Sequence, residues 1–475
     1  MGTVLEQHDS NRKPFQGKLV MKDEERMEPL PRDRAELVRL SPGELVDLAP
    51  LGSVQIIVFI MMLIAGIFQG YGNLALAYTA TDFSNELGMT LAALAAAFSA
   101  GLFGVMVGAL LFGQLADRIG RRPAFVAAVS ILGVFTLVTP LAHSIVTLSI
   151  FRFLSGLGIG GIPAIIPSFL SEFVPKRVRS SFVAWALSAI PLGGVLGAAL
   201  AAALIPHWGW KSVYLIGGVL TLLQATVAFF TLPESPLFSL SHSKNEAEAV
   251  NVLRLITGAQ TPIEIARAEN TATKQTTSAV HGLFGGGRLL MTLLFWLITA
   301  VLLMGFYFMV NWTPTLLLRA GFSPKIADLG SALLNIGGAV LGLGIGWFSD
   351  HWGGRRVMSA IFIAGGLSMA LAGVASGSSA VLMVTIVVAG TAWIAGQAAM
   401  VMLVARSYPD EIRTTGVGWT LTAGHAGAVI SPAIVAIPLG HGWTPAHIML
   451  LPVIPALVCA VGILYATPLA GETNN

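Results

Sequence analysis

The stretch GQLADRIGRRP, Gly113–Pro123, recurs in a weaker form as GWFSDHWGGRRV, Gly346–Val357. A second matching pair, SEFVPKRVR at 171–179 and RSYPDEIR at 406–413, lies at almost the same offset, about 234 positions. Similarity at one fixed offset is the signature of an internal repeat. The two matches together predict a molecule built from two related halves.

The composition around these stretches is that of a membrane protein. Of the 475 residues, 55% are hydrophobic and 11% are charged, which is far from the balance of a soluble domain. About 20 apolar residues cross the roughly 30 Å core of a bilayer as a helix. The apolar runs therefore predict an all-α integral membrane protein with twelve transmembrane helices in two six-helix halves. The predicted spans are 55–80, 91–113, 123–141, 145–168, 180–204, 211–232, 289–313, 326–349, 356–376, 379–404, 414–438 and 443–467.

Polar segments divide the chain further. Ser41-Pro-Gly-Glu44 has the pattern of a capping box that opens a short helix ending at Leu48. A second short helix is expected at Asn245–Thr257. The predicted parts are an N-terminal tail at 1–50, a first bundle at 51–232, a central loop at 233–288, a second bundle at 289–467 and a C-terminal tail at 468–475.

The positions of the basic residues predict the orientation. Lys and Arg are concentrated in the N-terminal tail, the central loop and the loops on the side of the repeated motifs. The positive-inside rule then places both termini in the cytoplasm, and we expect a monomer in the plasma (inner) membrane. The net charge of +3 reflects this topology and not a nucleic-acid partner. The sequence has no metal-ligand spacing and no Ser-His-Asp set, so no metal, cofactor or enzymatic activity is expected.

Several motifs carry a resemblance to a known family. The first loop motif, its copy and RFLSGLGIGG at 152–161 resemble the major facilitator superfamily. Within it, PESPLF at 233–238, NWTPTLL at 311–317 and YPDEIRTTGVGW at 408–419 are similar to the aromatic acid:proton symporter family. The resemblance implies a substrate site between the two halves near the middle of the membrane.

The resemblance also implies a cytoplasmic gate that the repeated loops close when the protein opens outward. Asp117 lies at a helix end beside a Gly120 turn and two arginines, so its contact with an arginine or a helix N-terminus would exist in one conformation only. The alternative is that these arginines only fix the topology. The expected gate residues are Asp117, Arg118, Gly120, Arg121, Arg122, Glu172, Arg179, Asp350, Arg355, Arg356 and Arg413.

The first span departs from the family pattern. The family carries two acids as Asp-Gly-x-Asp, and the aligned positions 69–72 read Gln-Gly-Tyr-Gly in this chain. An arginine expected in span eleven is replaced by His425. The acids closest to the membrane interior are Asp82, Glu172 and Asp328, all at span ends. Proton coupling through a buried carboxylate is therefore in question.

Two ionisable residues remain inside the membrane. Arg152 must face the bundle, because a buried arginine costs about 2.5–3.5 kcal/mol on insertion scales. It is expected to bind an anion or to take part in proton coupling, with a structural arginine bonded to carbonyls as the alternative. His425 could carry the coupling proton, or be a neutral histidine that donates to a backbone carbonyl.

Neutral polar and aromatic residues complete the candidate substrate site. Amide and phenol groups can hydrogen-bond a hydroxyl or a carboxylate, while aromatic rings contact a ring. Hydrogen bonding between helices is the alternative role for each amide. These residues are Gln69, Tyr71, Asn73, Tyr307, Asn311, Trp312, Asn335, Trp393 and Gln397.

These features predict a secondary transporter of a small organic solute that works by alternating access. An aromatic or hydroxylated carboxylic acid is the expected substrate, with protons as the possible coupling ion. A proton-independent uniporter, an exporter of a neutral organic compound and a transporter-like sensor are the alternatives.

Overall fold

The computed structural model describes residues 41–241, 246–257, 282–352, 354–374, 379–409 and 412–472, without the side chains of some helical positions that include 339–350 and 355. The predicted N-terminal tail at 1–40 lies outside these residues, as do 258–281 of the central loop. The described chain is helical apart from short connections. In chain order, spans one to twelve are Ser53–Leu87, Leu91–Ile119, Arg121–Val138, Ile145–Phe173, Lys176–Trp208, Lys211–Thr231, Leu289–Arg319, Pro324–Trp352, Gly354–Val374, the continuous run Ser379–Gly390, Thr391–Ala395 and Gly396–Ser407, Arg413–Gly440 and Val453–Glu472.

The predicted fold class is confirmed. Within the described residues, eleven helical stretches are long and apolar enough to cross a membrane. Helix Pro324–Trp352 occupies the place of the predicted eighth span. The last apolar stretch, Pro445–Tyr465, lies close to the predicted bounds 443–467, but it contains a break that was not predicted. A short helix at Pro445–Met449 precedes Val453–Glu472, because Pro452 has no N–H group to continue a helical ladder.

The sequence marks several helix ends. Thr90 and Ser144 cap spans two and four, where their side chains accept hydrogen bonds from the backbone N–H groups of Ala93 and Thr147. Gly120 alone separates spans two and three, with a φ of +117° that favours glycine. The loop motif is therefore a sharp turn between two helices.

The predicted capping box is present before span one. Ser41 N–H donates to Glu44 Oε2 at 2.7 Å, and Glu44 N–H donates to Ser41 Oγ at 3.4 Å. These bonds open the helix Pro42–Leu48. The helix predicted in the central loop is also present, at Glu246–Thr257, and both short helices pack with the first half.

The two halves meet at one end of the molecule. We call the end that carries Gly113–Pro123 the motif end, and the opposite end the far end. At the far end, Ser99 Oγ of span two donates to the Val429 carbonyl of span eleven at 2.8 Å, and the Phe98 and Trp312 rings lie 5.5 Å apart.

The buried apolar side chains form two cores that show the same asymmetry. One core joins the second half to the far-end parts of spans one, two, four, five and six. The other core is confined to the motif-end part of the first half. The halves thus share a core only at the far end.

Candidate substrate site

Arg152 of span four contacts the polar stretch of span one. Its Nη1 donates to the Gly72 carbonyl at 3.1 Å, and its Nη2 donates to the Asn73 carbonyl at 3.3 Å. Its Nε atom is buried without a hydrogen-bond partner. Its residue surface is 4% exposed. Gly101 of span two lies against the guanidinium of Arg152. A Cβ atom added to Gly101 would be 3.6 Å from the arginine Nε atom.

No acidic side chain pairs with Arg152 among the described ion pairs. Carbonyl oxygens carry only partial charge, so they satisfy donors without neutralising the guanidinium. Arg152 is therefore a buried cation whose counterion is missing from the described protein groups. This geometry leaves both predicted roles open, since the arginine is bonded to carbonyls and still has a free donor.

Gln69 and Asn73 lie one helical turn apart on the same face of span one, and the Asn73 carbonyl accepts from Arg152. Gln69 is 6% exposed, and its Oε1 atom has no hydrogen-bond partner. The Asn73 side chain lies beside the Tyr307 hydroxyl of span seven. The structure therefore brings Asn73, Arg152 and Tyr307 together, and Gln69 shares the face of span one that carries Asn73. We call these four residues the polar cluster.

Tyr71 lies on a different face of span one. Its hydroxyl donates to the Val213 carbonyl of span six, and its ring packs against Gly197 and Gly217. Both contacts are internal to the first half. The period of a helix explains the separation, because residues two positions apart point in nearly opposite directions.

The second-half residues are more scattered. Trp312 contacts Phe98 at the far end. Asn335 of span eight lies against Gly194 of span five. A Cβ atom added to Gly194 would be 3.0 Å from Asn335 Oδ1. Asn311 is 2% exposed on span seven. Asn335 therefore belongs to the interface between the halves.

Trp393 packs inside the second half, against Gly305 of span seven and the ring of Phe362 in span nine. It lies in a π-helical turn, Thr391–Ala395, a feature often found at functional sites. The indole Nε1 atoms of Trp393 and Trp312 are both buried without partners. Each is a spare donor.

His425 bonds within its own helix. Its Nδ1 atom lies 2.8 Å from the Leu421 carbonyl, and since a carbonyl only accepts, Nδ1 carries the proton and Nε2 is free. This is the backbone-bonded arrangement that was the alternative to a proton carrier. One turn away, Leu421 and Gln397 line a small internal space of about 10 Å³ with Thr299.

The predicted gate residues of the first half form a network at the motif end. Arg121 Nη2 lies 3.1 Å from Asp117 Oδ1 and 3.0 Å from Glu172 Oε1. Its Nη1 also donates to the Ala116 carbonyl at 2.8 Å. The Asp117 side chain is 72% exposed, whereas those of Arg121 and Glu172 are 14% exposed. Arg121 is thus the centre of the network.

Glu234, from the PESPLF motif, completes this network and was not among the predicted gate residues. Its Oε1 atom accepts from the N–H groups of Arg121 at 2.9 Å, Arg122 at 3.3 Å and Ser235 at 2.8 Å. A Cβ atom added to Gly120 would be only 2.2 Å from Glu234 Oε2, so the carboxylate occupies space that a larger residue would need. A carboxylate at the N-terminus of span three is favourable. The sequence alone did not reveal this role, because Glu234 lies more than a hundred residues from Arg121 and Arg122 in the chain.

Arg179 is bonded to Asp47, another residue that sequence reasoning missed. Asp47 Oδ1 accepts from Arg179 Nη2 at 3.1 Å, and Asp47 Oδ2 lies 2.8 Å from Lys176 Nζ. Asp47 belongs to the helix Pro42–Leu48. Arg179 therefore fixes that helix to the start of span five, within the first half.

The remaining gate predictions are less informed by the structure. Arg118, Arg356 and Arg413 are exposed. The side chains of Asp350 and Arg355 lie outside the described set. Every ion pair among the described side chains joins groups of the first half. In the part of the chain that was searched, no group of three or more His, Cys, Asp or Glu side chains could hold a metal ion.

Comparison with known proteins identifies relatives over most of the chain. The family model described as Major Facilitator Superfamily matches residues 58–432. The 4-hydroxybenzoate transporter PcaK of Pseudomonas aeruginosa is 32% identical, over 90% of this chain and 95% of the relative. The gallate transporter of Pseudomonas putida is 30% identical, over 88% and 93%. The gentisate transporter of Corynebacterium glutamicum is 27% identical, over 78% and 79%.

Solved structures share the fold. A bacterial homologue of the human lysosomal transporter Spinster, in an inward-facing and unoccupied conformation, superposes with a TM-score of 0.67 at 15% identity, over 89% of this chain and 98% of the other. The inward-open xylose transporter XylE of E. coli gives a TM-score of 0.66 at 18% identity, over 87% and 96%. At these identities the likeness extends to the fold alone.

Proposed function

We propose that this chain, which belongs to the major facilitator superfamily, carries a hydroxylated aromatic carboxylate across the plasma membrane by alternating access between its halves. That it is a solute transporter and not an enzyme follows from the family and the relatives. The relatives named for 4-hydroxybenzoate, gallate and gentisate support the substrate class, since each compound is a hydroxylated benzoate.

Arg152 carries the proposal. A guanidinium removed from water and left without a counterion is unfavourable by several kcal/mol, unless a ligand supplies the charge. The free Nε donor and the two Nη donors could meet a carboxylate that replaces the Gly72 and Asn73 carbonyls. A substrate carboxylate would thus bind better here than a neutral analogue.

Gln69 supplies the complementary group. Its unpartnered Oε1 atom is an acceptor, which suits a phenolic hydroxyl and repels a second carboxylate. The Tyr307 hydroxyl and the Asn73 amide, which lie side by side between the halves, add a donor and an acceptor. The polar cluster therefore fits a ring that bears one carboxylate and one or more hydroxyls.

The orientation and the state are also proposed. Arginines and lysines line the motif end, so the positive-inside rule supports a cytoplasmic motif end and cytoplasmic termini. The halves share a core only at the far end. We propose that the structure is the state closed toward the outside, in which none of the ion pairs among the described side chains joins the first-half gate network to the second half.

The test is uptake of labelled 4-hydroxybenzoate and benzoate into proteoliposomes. Arg152→Gln removes the charge. The loss of charged hydrogen bonds worth about 1.5–3 kcal/mol should lower the affinity for both substrates by roughly 10- to 150-fold. Gln69→Ala should weaken 4-hydroxybenzoate more than benzoate, because only the former has the hydroxyl. Tyr71→Phe, a change inside the first half, is the matched control and should leave both affinities unchanged.

Three results would contradict the proposal. Equal affinities in wild type and Arg152→Gln would show that the arginine is structural. An equal loss for both substrates in Gln69→Ala would remove the hydroxyl contact. If neither compound is taken up by the wild type, the substrate class is wrong.

Proton-independent transport is the second candidate. It is favoured by the composition of the polar cluster, none of whose four members is a carboxylate. A monovalent anion that enters alone against 100 mV, interior negative, faces about 2.3 kcal/mol, so uncoupled uptake would be weak. Uptake with and without an inward proton gradient at fixed potential separates the two, and accumulation driven by the gradient would make His425 the next variant.

A further inference from the structure

Two neighbouring contacts join the halves at the far end, and span two supplies one side of both. The ring centroids of Phe98 on span two and Trp312 on span seven lie 5.5 Å apart, with the ring planes tilted by 43°. The next residue, Ser99, donates from Oγ to the Val429 carbonyl of span eleven at 2.8 Å. Two consecutive residues of the first half therefore contact two helices of the second half.

The aromatic pair is closed to solvent. Phe98 is 3% exposed and Trp312 is 1% exposed, and their separation is typical of aromatic rings that attract each other. The indole Nε1 atom of Trp312 is buried without a hydrogen-bond partner. A buried N–H group without an acceptor is unfavourable, so the pair excludes water and still has a donor for a ligand.

The pair lies just outside the candidate substrate site. Span two runs away from the far end, so Phe98 is three residues, or about 4.5 Å, farther out than Gly101. Gly101 is the residue that lies against the Arg152 guanidinium. Span seven runs toward the far end, so Trp312 is five residues, or about 7.5 Å, farther out than Tyr307. Both rings are therefore about one helical turn outside the polar cluster.

The hydrogen bond of Ser99 lies in the same layer. Span eleven runs toward the far end, and Val429 is four residues, or about 6 Å, farther out than His425. Spans two, seven and eleven thus meet in one layer between the candidate site residues and the far end. A solute that passes between the site and the far end requires these contacts to separate, because they join one half to the other.

We propose that Phe98 and Trp312 form the outer gate of the site, and that the aromatic ring of an entering substrate binds against both rings when they separate. Opening the far end breaks the contact between the two rings and leaves a ring face on each half. A flat aromatic ring restores a ring contact on both sides, whereas a saturated ring has no π face. The gate therefore selects for an aromatic ring, and Arg152 selects for the carboxylate. This inference rests on the proposed function, and it adds Phe98 as a residue that determines specificity.

Opening of the gate is measured without substrate. Spin labels at Asn85→Cys and Ala320→Cys, two exposed positions at the far ends of spans one and seven, in a Cys459→Ala background, report the distance between the halves by double electron-electron resonance in nanodiscs. Phe98→Leu removes the ring contact, and Ser99→Ala removes the hydrogen bond. Each should raise the ratio of open to closed molecules by about 2- to 10-fold.

Ligand selectivity distinguishes the two variants. The measured quantity is the ratio of the affinities for benzoate and cyclohexanecarboxylate, two acids that differ in the aromaticity of the ring, determined by isothermal titration calorimetry on the purified protein. In Phe98→Leu this ratio should fall by about 2- to 10-fold, because only the aromatic ring loses a ring contact. Ser99→Ala should keep the wild-type ratio, because both rings of the gate remain.

Phe103→Leu is the matched control. It makes the same substitution on the same helix, in a ring pair with Phe153 at 5.8 Å that lies within the first half, and it should change neither the distances nor the affinity ratio. Unchanged distances in both Phe98→Leu and Ser99→Ala would overturn the gate, and an unchanged affinity ratio in Phe98→Leu would overturn the ring contact. Failure to bind either acid would refute the proposed substrate and with it the ring contact, whereas the distances need no substrate and decide the gate independently.

Discussion

Replacing Gly70 by alanine should destabilise the protein far more than the same change two residues later at Gly72. Spans one and five cross at Gly70, where a Cβ atom would lie 1.9 Å from the Ile190 carbonyl oxygen. On the other helix, a Cβ atom on Gly193 would lie 2.0 Å from the Ile67 carbonyl oxygen. Both obstacles are backbone atoms, so no side-chain rotation makes room. Span one would have to move by about 1.1 Å to reach the 3.0 Å minimum of real Cβ contacts.

The size of the effect follows from two opposing contributions. Alanine is about 1 kcal/mol better than glycine in a helix, whereas overpacking a dense interior costs about 1–3 kcal/mol and occasionally more. At Gly72 the Cβ atom would meet Leu132 Cδ1 at 2.9 Å, which is the end of a flexible side chain. Gly72→Ala should therefore be near neutral. Gly70→Ala meets backbone atoms, so its overpacking cost lies at the upper end of that range, and the net destabilisation should be about 2 kcal/mol or more.

Thermal unfolding of the two variants and the wild type in one detergent is the assay. The midpoint of Gly70→Ala should be clearly lower than the other two, and its uptake rate should fall in parallel, because span one also carries part of the polar cluster. Equal midpoints for the two variants would refute the reasoning from close helix approach. A lower midpoint in Gly72→Ala than in Gly70→Ala would also contradict it, because the larger destabilisation would then lie at the position with the softer obstacle.

Two further predictions concern the motif end. Asp117→Asn should leave the unfolding midpoint unchanged, because the side chain is 72% exposed and exposed ion pairs contribute about 0–1 kcal/mol. Turnover in proteoliposomes should fall, because the contact with Arg121 is lost. Normal turnover would count against a role of Asp117 in the gate. Asp47→Asn should loosen the helix Pro42–Leu48, measured by limited proteolysis. Burial alone would raise the pKa of Asp47, but the hydrogen bonds and charges of Lys176 and Arg179 lower it overall. The wild type should therefore resist proteolysis better than Asp47→Asn at neutral pH, and this difference should be lost only as the pH falls through the lowered pKa. A difference that persists in strong acid would contradict this.

The fold could be predicted from the sequence because its signals are long and repeated. Three kinds of pattern each predict a local structure that the tertiary contacts do not overturn. They are the twenty-residue apolar runs, the two loop motifs and the Ser41–Glu44 capping box. The break at Pro452 inside the last span could not be predicted, since the apolar run Pro445–Tyr465 continues through that turn. Hydropathy measures the length of a run and is blind to a break inside it.

The candidate site was only partly predictable. Arg152 was identified because a charge inside a span requires an explanation, and Gln69 with Asn73 because four-residue spacing defines a helix face. Tyr71 belonged to the same polar stretch, but its partner is a carbonyl of span six, which no sequence spacing reveals. Glu234 was missed for the same reason, because two of its three donors, the N–H groups of Arg121 and Arg122, lie more than a hundred residues away in the chain.

The polar stretch of span one can now be understood as a compromise among three demands. Gly70 must be small so that span five can cross, and the carbonyls of Gly72 and Asn73 must lie within reach of Arg152. A carboxylate in this stretch would neutralise the arginine from within the protein and compete with a carboxylate ligand. The resemblance to the aromatic acid:proton symporter family implies an acid at position 69. Gln69 keeps an acceptor there, and Arg152 has no counterion among the described side chains. Both features support the same proposal, a site that binds an anion through the charge of the protein.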